Sequence, residues 1–379
     1  MNILLLGAGN VGRAIAFDFV TRDTVAKVTI VDVSHDKLKE LATFLKSEKV
    51  NIMVADIMNE EDKIVQEMKD HDVVCSALPG KIGFKAIELA LKANTDIVDV
   101  SYNPENPFKA HDEAKEKGIT IIPDCGVAPG MSNLLVGHAA SLLDEVTDVE
   151  IIVGGLPMNP KPPLYYSITW SVEDLIEEYT RPARIVLNGE IKEVDPLSHI
   201  EEIDLGPLGK FEAIYTDGLR TLLKTIKAKN MVEKTIRYPG HFSKIRVLKD
   251  LGFLSSRKIR IGEEIITPKK FSTKILEEAL RSFDFRDLVI MRIRVSGKKN
   301  GRSFIYQFDM VDKFDPQTNL TAMARTTGFT CAIAARLVAK GLIDTGVQPL
   351  EKIGSNMKLY GIFIEGLAKR GIKVAERAL

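Results

Sequence analysis

The chain has 379 residues, which is too long for one small hydrophobic core and indicates two domains. Its 52 Lys and Arg residues balance its 52 Asp and Glu residues, which argues against a nucleic-acid-binding protein, and its three widely spaced cysteines argue against a disulfide framework or a thiolate metal site. Because no apolar run reaches the roughly 18 residues of a membrane span, we expect a cytoplasmic protein with no membrane, nucleic-acid or metal partner.

Residues 1–125 alternate short β-branched runs with longer amphipathic stretches. Six runs predict strands: Ile3–Leu6, Val28–Val31, Val50–Val54, Val73–Cys75, Ile97–Val100 and Ile119–Ile122. Five stretches between them predict helices: Asn10–Arg22, His35–Lys46, Asn59–Met68, Gly83–Ala93 and Glu105–Lys117. This alternation is typical of βαβ units, so we predict a Rossmann-type, doubly wound parallel sheet and an α/β fold.

The alternation stops at Pro123, and residues 126–320 are predicted to form an inserted α+β domain on a mixed, mostly antiparallel sheet. A helix is predicted over Met131–Leu143, and an extended loop over the proline-rich stretch Gly154–Pro163. Two hairpins are predicted: one turns at Asn188-Gly189, and the other joins Leu288–Val295 to Arg302–Val311 through 296–301.

The last segment, residues 321–379, is predicted to be helical and to return to the first domain. Leu320–Lys340 carries small residues that allow close packing, and Leu359–Leu379 is amphipathic.

A glycine-rich hexad follows the first predicted strand and opens the first predicted helix: Gly7-Ala8-Gly9-Asn10-Val11-Gly12. In this context Gly7 permits the turn, Gly9 lets the backbone approach a pyrophosphate, and the N–H groups that begin the helix at Asn10 and Val11 bind the phosphates. Gly12 lets the helix pack on the strand. Asp32 ends the second run 20 residues after Gly12, where a carboxylate accepts ribose hydroxyls and repels a 2′-phosphate. We therefore predict NAD as the cofactor, with NADP disfavoured.

Two further segments are assigned to the cofactor. Asp56 follows the third run and either contacts the adenine edge or caps the next helix. The stretch Ser76-Ala77-Leu78-Pro79 follows the fourth run, and its small residues suit a backbone wall beside the nicotinamide ribose. A plain turn is the alternative for that stretch.

The segment Pro123-Asp124-Cys125-Gly126-Val127-Ala128-Pro129-Gly130-Met131-Ser132-Asn133 resembles the saccharopine dehydrogenase-like family. Further segments resemble the lysine 6-dehydrogenase branch of that family: 168–171, 216–222, 234–241 and 326–328. The resemblance covers nearly the whole chain. It implies a Rossmann domain, an inserted substrate domain and NAD(P)-linked chemistry at a carbon–nitrogen bond of an amino acid. It also implies a homodimer formed through the second domain.

Oxidation beside an amine needs a group that accepts the amine's proton, because the pKa of a free lysine amine is about 10.4. Asp99 and Tyr102 follow the fifth run, and Asp124 and Cys125 follow the sixth, at the sheet edge where ligands bind. Asp99 is the first choice for binding the amine, with anchoring of the following loop as its alternative. Tyr102 and Asp124 are further catalytic candidates. Cys125 matches a Cys-Gly that lies near substrate in the family, with simple packing as its alternative.

The second domain offers candidates for the far end of the substrate. Arg220 and Arg237 are assigned to the substrate carboxylate, since a guanidinium binds it through two hydrogen bonds. His241 is a candidate proton relay or carboxylate ligand, although a lone histidine is equally compatible with a structural role. Trp170 is assigned to a wall of the substrate site, with core packing as the alternative.

Three functions are compatible with these residues. The leading hypothesis is an enzyme like lysine 6-dehydrogenase, which oxidatively deaminates the ε-amine of L-lysine to 2-aminoadipate 6-semialdehyde. The second is a saccharopine dehydrogenase or reductase that acts on a secondary amine. The third is a non-catalytic, NAD-binding regulatory protein.

Overall fold

A computed structural model describes residues 1–22, 25–168, 170–280 and 284–379. The chain divides into two compact units. The first unit contains Met1–Leu142 and Met323–Val374, and the second contains Leu143–Ala322 and Ala375–Leu379. The first unit thus extends past residue 125, where the sequence analysis ends the first domain.

Strands and helices alternate regularly through residue 122, and most of the predicted strands and helices of this region form within a few residues of their expected ends. The exception is the helix predicted over Glu105–Lys117, which is a 3-10 turn at Pro107–Ala110 followed by a short α-helix from His111. The strands are β1 (Asn2–Leu6), β2 (Lys27–Asp32), β3 (Val50–Val54), β4 (Val73–Ser76), β5 (Ile97–Asp99) and β6 (Thr120–Ile122). The helices are α1 (Asn10–Thr21), α2 (His35–Leu45), α3 (Glu61–Lys69), α4 (Gly80–Ala93), α5 (His111–Glu116) and α6 (Met131–Ser141).

The second unit is rich in strands. They are β7 (Glu145–Pro157), β8 (Ala183–Leu187), β9 (Glu190–Val194), β10 (Glu201–Asp204), β11 (Lys210–Tyr215), β12 (Asn230–Arg237), β13 (Ile259–Ile261), β14 (Glu264–Ile266), β15 (Asp287–Lys299) and β16 (Arg302–Lys313). Its helices are α7 (Val172–Thr180), α8 (Leu222–Thr225), α9 (His241–Asp250) and α10 (Pro268–Ala279).

The remaining residues form α11 (Ala322–Ala339), β17 (Gly346–Val347), α12 (Leu350–Ser355), α13 (Met357–Ala368) and β18 (Val374–Ala378). None of the helices in the described residues is long and apolar enough to cross a membrane.

The first unit is built on a parallel sheet with the strand order β17-β6-β5-β4-β1-β2-β3. The order reverses between β1 and β4, so the carboxyl ends of these two strands flank the crevice in which ligands of such sheets bind. Leu4 and Leu5 of β1 are fully buried, as expected of a central strand covered by helices on both faces. The predicted Rossmann-type fold is therefore confirmed.

The second unit is built on a mixed sheet with the main order β10-β11-β12-β7-β15-β16-β18, and β8 and β9 extend from β12. Within it, β7 and β12 run parallel, whereas β11 and β12, β7 and β15, and β15 and β16 are antiparallel. The predicted mixed, mostly antiparallel sheet is thus confirmed.

Three predicted boundaries of this sheet are wrong. Residues 154–157 continue strand β7 instead of starting a loop. A Cβ at Gly154 would lie 2.5 Å from Ile236 Cγ1 on β12, so glycine lets the two strands stay close at this point. The second hairpin turns at Asn300-Gly301 rather than over 296–301, since β15 and β16 pair up to Lys299 and Arg302. The C-terminal helix ends at Ala368, and the chain then forms β18, where the Leu379 N–H donates to the Ile305 carbonyl at 2.9 Å.

The C-terminal helices pack closely on the dinucleotide-type core of the first unit. A Cβ on Gly328 of α11 would lie 2.8 Å from Ala14 Cβ on α1, so the two helices cross at near contact. A Cβ on Gly137 of α6 would overlap the Glu351 carbonyl oxygen of α12. The contact between α6 and α12 explains why α6 belongs with the first unit.

A buried charge network also joins these elements. Asp18 on α1 is 2% exposed, and its Oδ1 and Oδ2 accept hydrogen bonds from Arg370 Nε at 2.6 Å and Arg370 Nη2 at 2.8 Å. Arg336 Nη1 also donates to Oδ2, and Arg336 Nη2 donates to the Asp18 carbonyl at 3.1 Å. One carboxylate therefore fixes α1 to residues of both α11 and the end of α13.

Candidate functional site

The glycine turn between β1 and α1 is packed too tightly for side chains at two of its positions. Gly7 has a φ of +101°, and its Cβ would lie 2.5 Å from the Ala77 carbonyl oxygen. A Cβ on Gly12 would overlap the Gly7 carbonyl oxygen, because the first turn of α1 lies directly on the loop. Both glycines are therefore required by the local geometry, as predicted.

The outer side of the same turn is open. A Cβ on Gly9 would meet no atom within 4 Å, and Gly9 caps α1 without a side-chain hydrogen bond. Helix α1 begins at Asn10, and the N-terminus of a helix favours an anion. The open backbone at Gly9, beside this helix terminus, fits the pyrophosphate of a dinucleotide.

Asp32 closes the turn from the end of β2. Its Oδ2 accepts a hydrogen bond from the Ala8 N–H at 2.8 Å, and its Oδ1 accepts one from the Ser34 N–H at 2.8 Å. The side chain is only partly buried, so the carboxylate remains accessible beside the turn. This placement is compatible with the predicted contact to a ribose.

The other residues assigned to the cofactor differ in what they contact. Asp56 accepts hydrogen bonds from the Met58 N–H at 2.8 Å and from Asn59 Nδ2 at 2.6 Å, so it organises the turn that leads into α3. Asp56 thus stabilises the turn before α3 and does not cap the helix, whose N-cap is Glu60. By contrast, the segment 76–79 lies against the glycine turn, where the Ala77 N–H donates to the Leu6 carbonyl at 2.8 Å.

Asp99 lies at the end of β5 and is fully buried. Its Oδ1 accepts hydrogen bonds from Ser101 Oγ at 2.6 Å and the Ser101 N–H at 3.2 Å, and its Oδ2 accepts one from Asn103 Nδ2 at 2.8 Å. Burial raises the pKa of Asp99 to about 6 despite these hydrogen bonds. The structure thus supports the loop-anchoring alternative, and the anchored loop carries the partly exposed Tyr102.

Asp124 and Cys125 follow β6 in a tightly folded segment. Asp124 has a φ of +52° and is 3% exposed, and the Cys125 N–H donates to the Asp99 carbonyl at 2.7 Å. Burial raises the pKa of the Cys125 thiol well above its usual value. The thiol is therefore protonated and enclosed, which favours the packing role over contact with a substrate.

In the second unit, His241 is a buried, neutral histidine. Its Nδ1 lies 2.7 Å from the Leu164 carbonyl, which only accepts, so Nδ1 carries the proton. Its Nε2 lies 2.9 Å from Tyr179 Oη and accepts a hydrogen bond from the hydroxyl group. Burial, together with the Arg237 cation, lowers the pKa of His241 to about 3. The predicted proton relay is not supported, because the ring is enclosed and both nitrogens are used.

Arg237 lies beside the same histidine and is 2% exposed. Its Nη2 donates to Glu178 Oε2 at 2.6 Å, its Nη1 donates to the Ile236 carbonyl at 2.9 Å, and its guanidinium stacks over the Tyr166 ring at 4.7 Å. The predicted contact of Arg237 with a substrate carboxylate is not supported, because Glu178 already neutralises its charge.

Trp170 belongs to the core of the second unit. Its Nε1 donates to Tyr166 Oη at 2.9 Å, and its ring packs against the buried cluster around α7 and α9. This contact favours the core-packing alternative. The neighbouring Thr169, part of the segment that resembles the family, lies outside the described residues.

Arg220 is 7% exposed and has a φ of +50°. The preceding Asp217 is fixed by Arg184, whose Nε and Nη2 donate to its two carboxylate oxygens, each at 2.8 Å. The turn that carries Arg220 is therefore held rigidly within the second unit.

Sequence reasoning missed the acidic residues beside these arginines, Glu178 and Glu233. Both lie in ordinary-looking amphipathic or charged stretches, and burial raises the pKa of each. No signal in the sequence marked Glu233, because Lys234 follows it directly and the pair reads as ordinary surface charge. Among the described residues, no group of three or more His, Cys, Asp or Glu side chains is arranged to hold a metal ion.

Comparisons with known proteins agree with this architecture. A family model described as the saccharopine dehydrogenase NADP binding domain matches residues 3–122, and one described as the saccharopine dehydrogenase C-terminal domain matches residues 126–372. The NADP-linked, L-glutamate-forming saccharopine dehydrogenase of Pyricularia oryzae is 26% identical over 74% of this chain and 64% of its own length.

Two further proteins match over almost the full length. Carboxynorspermidine synthase of Vibrio cholerae is 25% identical over 93% of this chain and 92% of its own. The apo structure of L-Glu-forming saccharopine dehydrogenase from Saccharomyces cerevisiae superimposes with a TM-score of 0.80 at 21% identity, covering 100% of this chain and 99% of that one, and it shares the fold. With both of its units matched by the family's two domain models, the chain belongs to the saccharopine dehydrogenase family.

Proposed function

We propose that this chain catalyses the NAD-dependent oxidative deamination of the ε-amine of L-lysine to 2-aminoadipate 6-semialdehyde. The observation that carries the proposal is the glycine turn, which leaves its outer side free at Gly9 and places the Asp32 carboxylate beside it. The chain also belongs to a family of dehydrogenases that act on amines. When bound at this turn, the oxidised dinucleotide supplies a hydride acceptor. Loss of hydride from the ε-carbon leaves an imine, and addition of water then releases ammonia.

The first unit supplies the groups that we assign to the amine. Tyr102 and Asp124 follow the strands whose ends form the ligand edge of the sheet, and we assign them to contact the amine and accept its proton. Asp99 acts indirectly, because its two oxygens hold the loop that carries Tyr102. In the second unit, Arg220 is assigned to the substrate's α-carboxylate.

The choice of NAD rests on Asp32. A 2′-phosphate beside this carboxylate would bring two negative charges close together, whereas ribose hydroxyls would donate hydrogen bonds to it. The matching family model is described as an NADP binding domain, so the preference for NAD over NADP needs a direct measurement. We expect a higher kcat/KM with NAD than with NADP, and we expect Asp32→Asn to shift the ratio toward NADP by roughly 10- to 100-fold.

A direct assay tests the substrate. Purified protein is incubated with NAD and L-lysine at neutral to alkaline pH, and NADH absorbance is followed. NADH production together with release of ammonia supports the proposal. Absence of turnover with lysine, in protein that binds NAD, contradicts it, and absence of turnover with both lysine and saccharopine favours the non-catalytic alternative.

A secondary-amine substrate is the second candidate. It is favoured by the relatives, which are named saccharopine dehydrogenases and carboxynorspermidine synthase. The same assay with saccharopine in place of lysine separates the two, because a secondary-amine enzyme would release an amino acid rather than ammonia. We also propose that the protein is a cytoplasmic homodimer, and light scattering on the purified protein tests its oligomeric state.

A further inference from the structure

The carboxyl group of Glu233 is buried against the segment that carries Arg220. Glu233 lies on β12 and is 3% exposed. Its Oε2 is hydrogen-bonded to Thr216 Oγ1, which lies 2.9 Å from Thr235 Oγ1, and the Gly218 N–H also hydrogen-bonds to the carboxyl group. The Thr216 N–H donates to the Glu233 carbonyl at 3.0 Å, so main chain and side chain hold the same segment.

The fit leaves no space between the carboxyl group and the turn. A Cβ on Gly218 would lie 2.5 Å from Glu233 Cδ. The ion pair of Asp217 with Arg184 fixes the residue between Thr216 and Gly218. Two residues further on, Arg220 adopts a φ of +50°, a conformation that a residue with a side chain keeps only when its surroundings enforce it.

We propose that Glu233 is a positioning residue whose carboxyl group holds the Thr216–Arg220 segment in the conformation that presents Arg220 to the substrate's α-carboxylate. The inference rests on the proposed function, in which Arg220 binds that carboxylate. Glu233 itself contacts the segment and not the substrate.

The surrounding charges set the protonation state in which Glu233 acts. Glu178 and Asp217 lie close to it, but their charges are paired with Arg237 and Arg184, and in the described part of the chain no cation pairs with Glu233. Burial, aided by these two carboxylates, raises the pKa of Glu233 to about 8.

At neutral pH the side chain is therefore an uncharged acid. Its oxygens accept hydrogen bonds from the Thr216 hydroxyl and the Gly218 N–H. Ionisation above pH 8 places a buried negative charge beside Asp217. We expect the segment, and with it Arg220, to loosen in that pH range.

Two substitutions separate positioning from simple packing. Glu233→Gln keeps an uncharged side chain of the same shape, with an oxygen that accepts, at every pH, whereas Glu233→Ala removes the acceptor. At pH 7 we expect Glu233→Gln to keep the KM for lysine within about twofold of the unsubstituted protein, and Glu233→Ala to raise it roughly tenfold with kcat and the KM for NAD little changed. Glu202→Gln, an exposed carboxylate on the same sheet, is the control.

The pH dependence is the deciding kinetic measurement. Between pH 7 and 9.5 the KM for lysine of the unsubstituted protein should rise relative to that of Glu233→Gln measured at the same pH, which cancels the titration of lysine itself. A constant ratio across this range would overturn the proposal. So would a Glu233→Gln variant with the same raised KM as Glu233→Ala at pH 7.

A second readout does not depend on turnover. Amide hydrogen exchange of residues 216–222 should become faster above pH 8 in the unsubstituted protein than in Glu233→Gln, and it should be equal in the two proteins at pH 7. Equal exchange at both pH values overturns the positioning role. If exchange behaves as expected but lysine is not a substrate, the proposed function fails while the role of Glu233 in holding the segment stands.

Discussion

Replacing Asp18 by Asn tests how the C-terminal helices are fixed to the dinucleotide-binding helix. The carboxylate is 2% exposed and accepts charged hydrogen bonds from Arg336 and Arg370, which lie 318 and 352 residues further along the chain. An amide of the same shape keeps the packing but leaves two largely buried guanidinium groups, those of Arg336 and Arg370, without this counter-charge. The substitution should therefore destabilise the first unit without altering its architecture.

The expected size follows from the burial of the network. Removing one partner of a buried ion pair costs about 3–5 kcal/mol, because the remaining charges stay desolvated and unpaired. For a unit of this size each kcal/mol lowers the melting temperature by about 2–4 °C, which gives a decrease of about 6–20 °C.

Differential scanning calorimetry and urea denaturation measure the effect on the transition of the first unit. Glu365→Gln is a matched control, because its ion pair with Lys369 lies at the surface, where both side chains are more than half exposed. That substitution should change the melting temperature very little. If Asp18→Asn costs no more than Glu365→Gln, the network does not carry the stability assigned to it here.

Three other substitutions probe single features. The pKa of His241 is lowered to about 3 in the folded protein, so the folded protein loses stability as pH falls below about 6.5, where the histidine of the unfolded chain becomes protonated. In His241→Gln the free energy of unfolding, measured by urea denaturation, should therefore depend less steeply on pH between pH 6 and 4, by up to about 1.4 kcal/mol per pH unit. An unchanged slope would contradict this. Gly137→Ala forces a Cβ into the Glu351 carbonyl and should destabilise the protein by about 1–3 kcal/mol, whereas Gly361→Ala, which meets no atom within 4 Å, should be neutral or stabilising. Cys125, whose thiol pKa is raised by burial, should resist alkylation in the native protein at pH 8, and rapid labelling mapped to Cys125 by mass spectrometry would count against its enclosure.

The sequence carried the architecture of the first unit because the alternation of strands and helices is local and regular. Strand β17 escaped prediction, since Gly346 and Val347 form it with two residues and no periodicity of their own. The sequence predicts helix where β18 forms, because five residues show little periodicity and the pairing of β18 with β16 comes from tertiary contacts.

The candidate site divides in a similar way. The glycine turn and Asp32 were predictable because the strand–turn–helix context fixes what each residue must do. The roles of Arg237 and His241 were not, because whether an arginine binds a ligand or a glutamate depends on what is buried beside it. Glu178 approaches Arg237 from another element, 59 residues away in sequence, and no local pattern records that contact.

The network around Asp18 also constrains the order in which the protein acquires its structure during synthesis. When α1 leaves the ribosome, its partners on α11 and at the end of α13, which lie 318 and 352 residues after Asp18, have not yet been made. The whole second unit, apart from its last strand, is synthesised in between. The nascent dinucleotide-binding region therefore carries an Asp18 whose one local partner among the described residues is the half-exposed Arg22, until translation has passed Arg336 and Arg370. We expect this region to be complete only after the second unit's residues 143–322 and the segment up to Arg370 have been made.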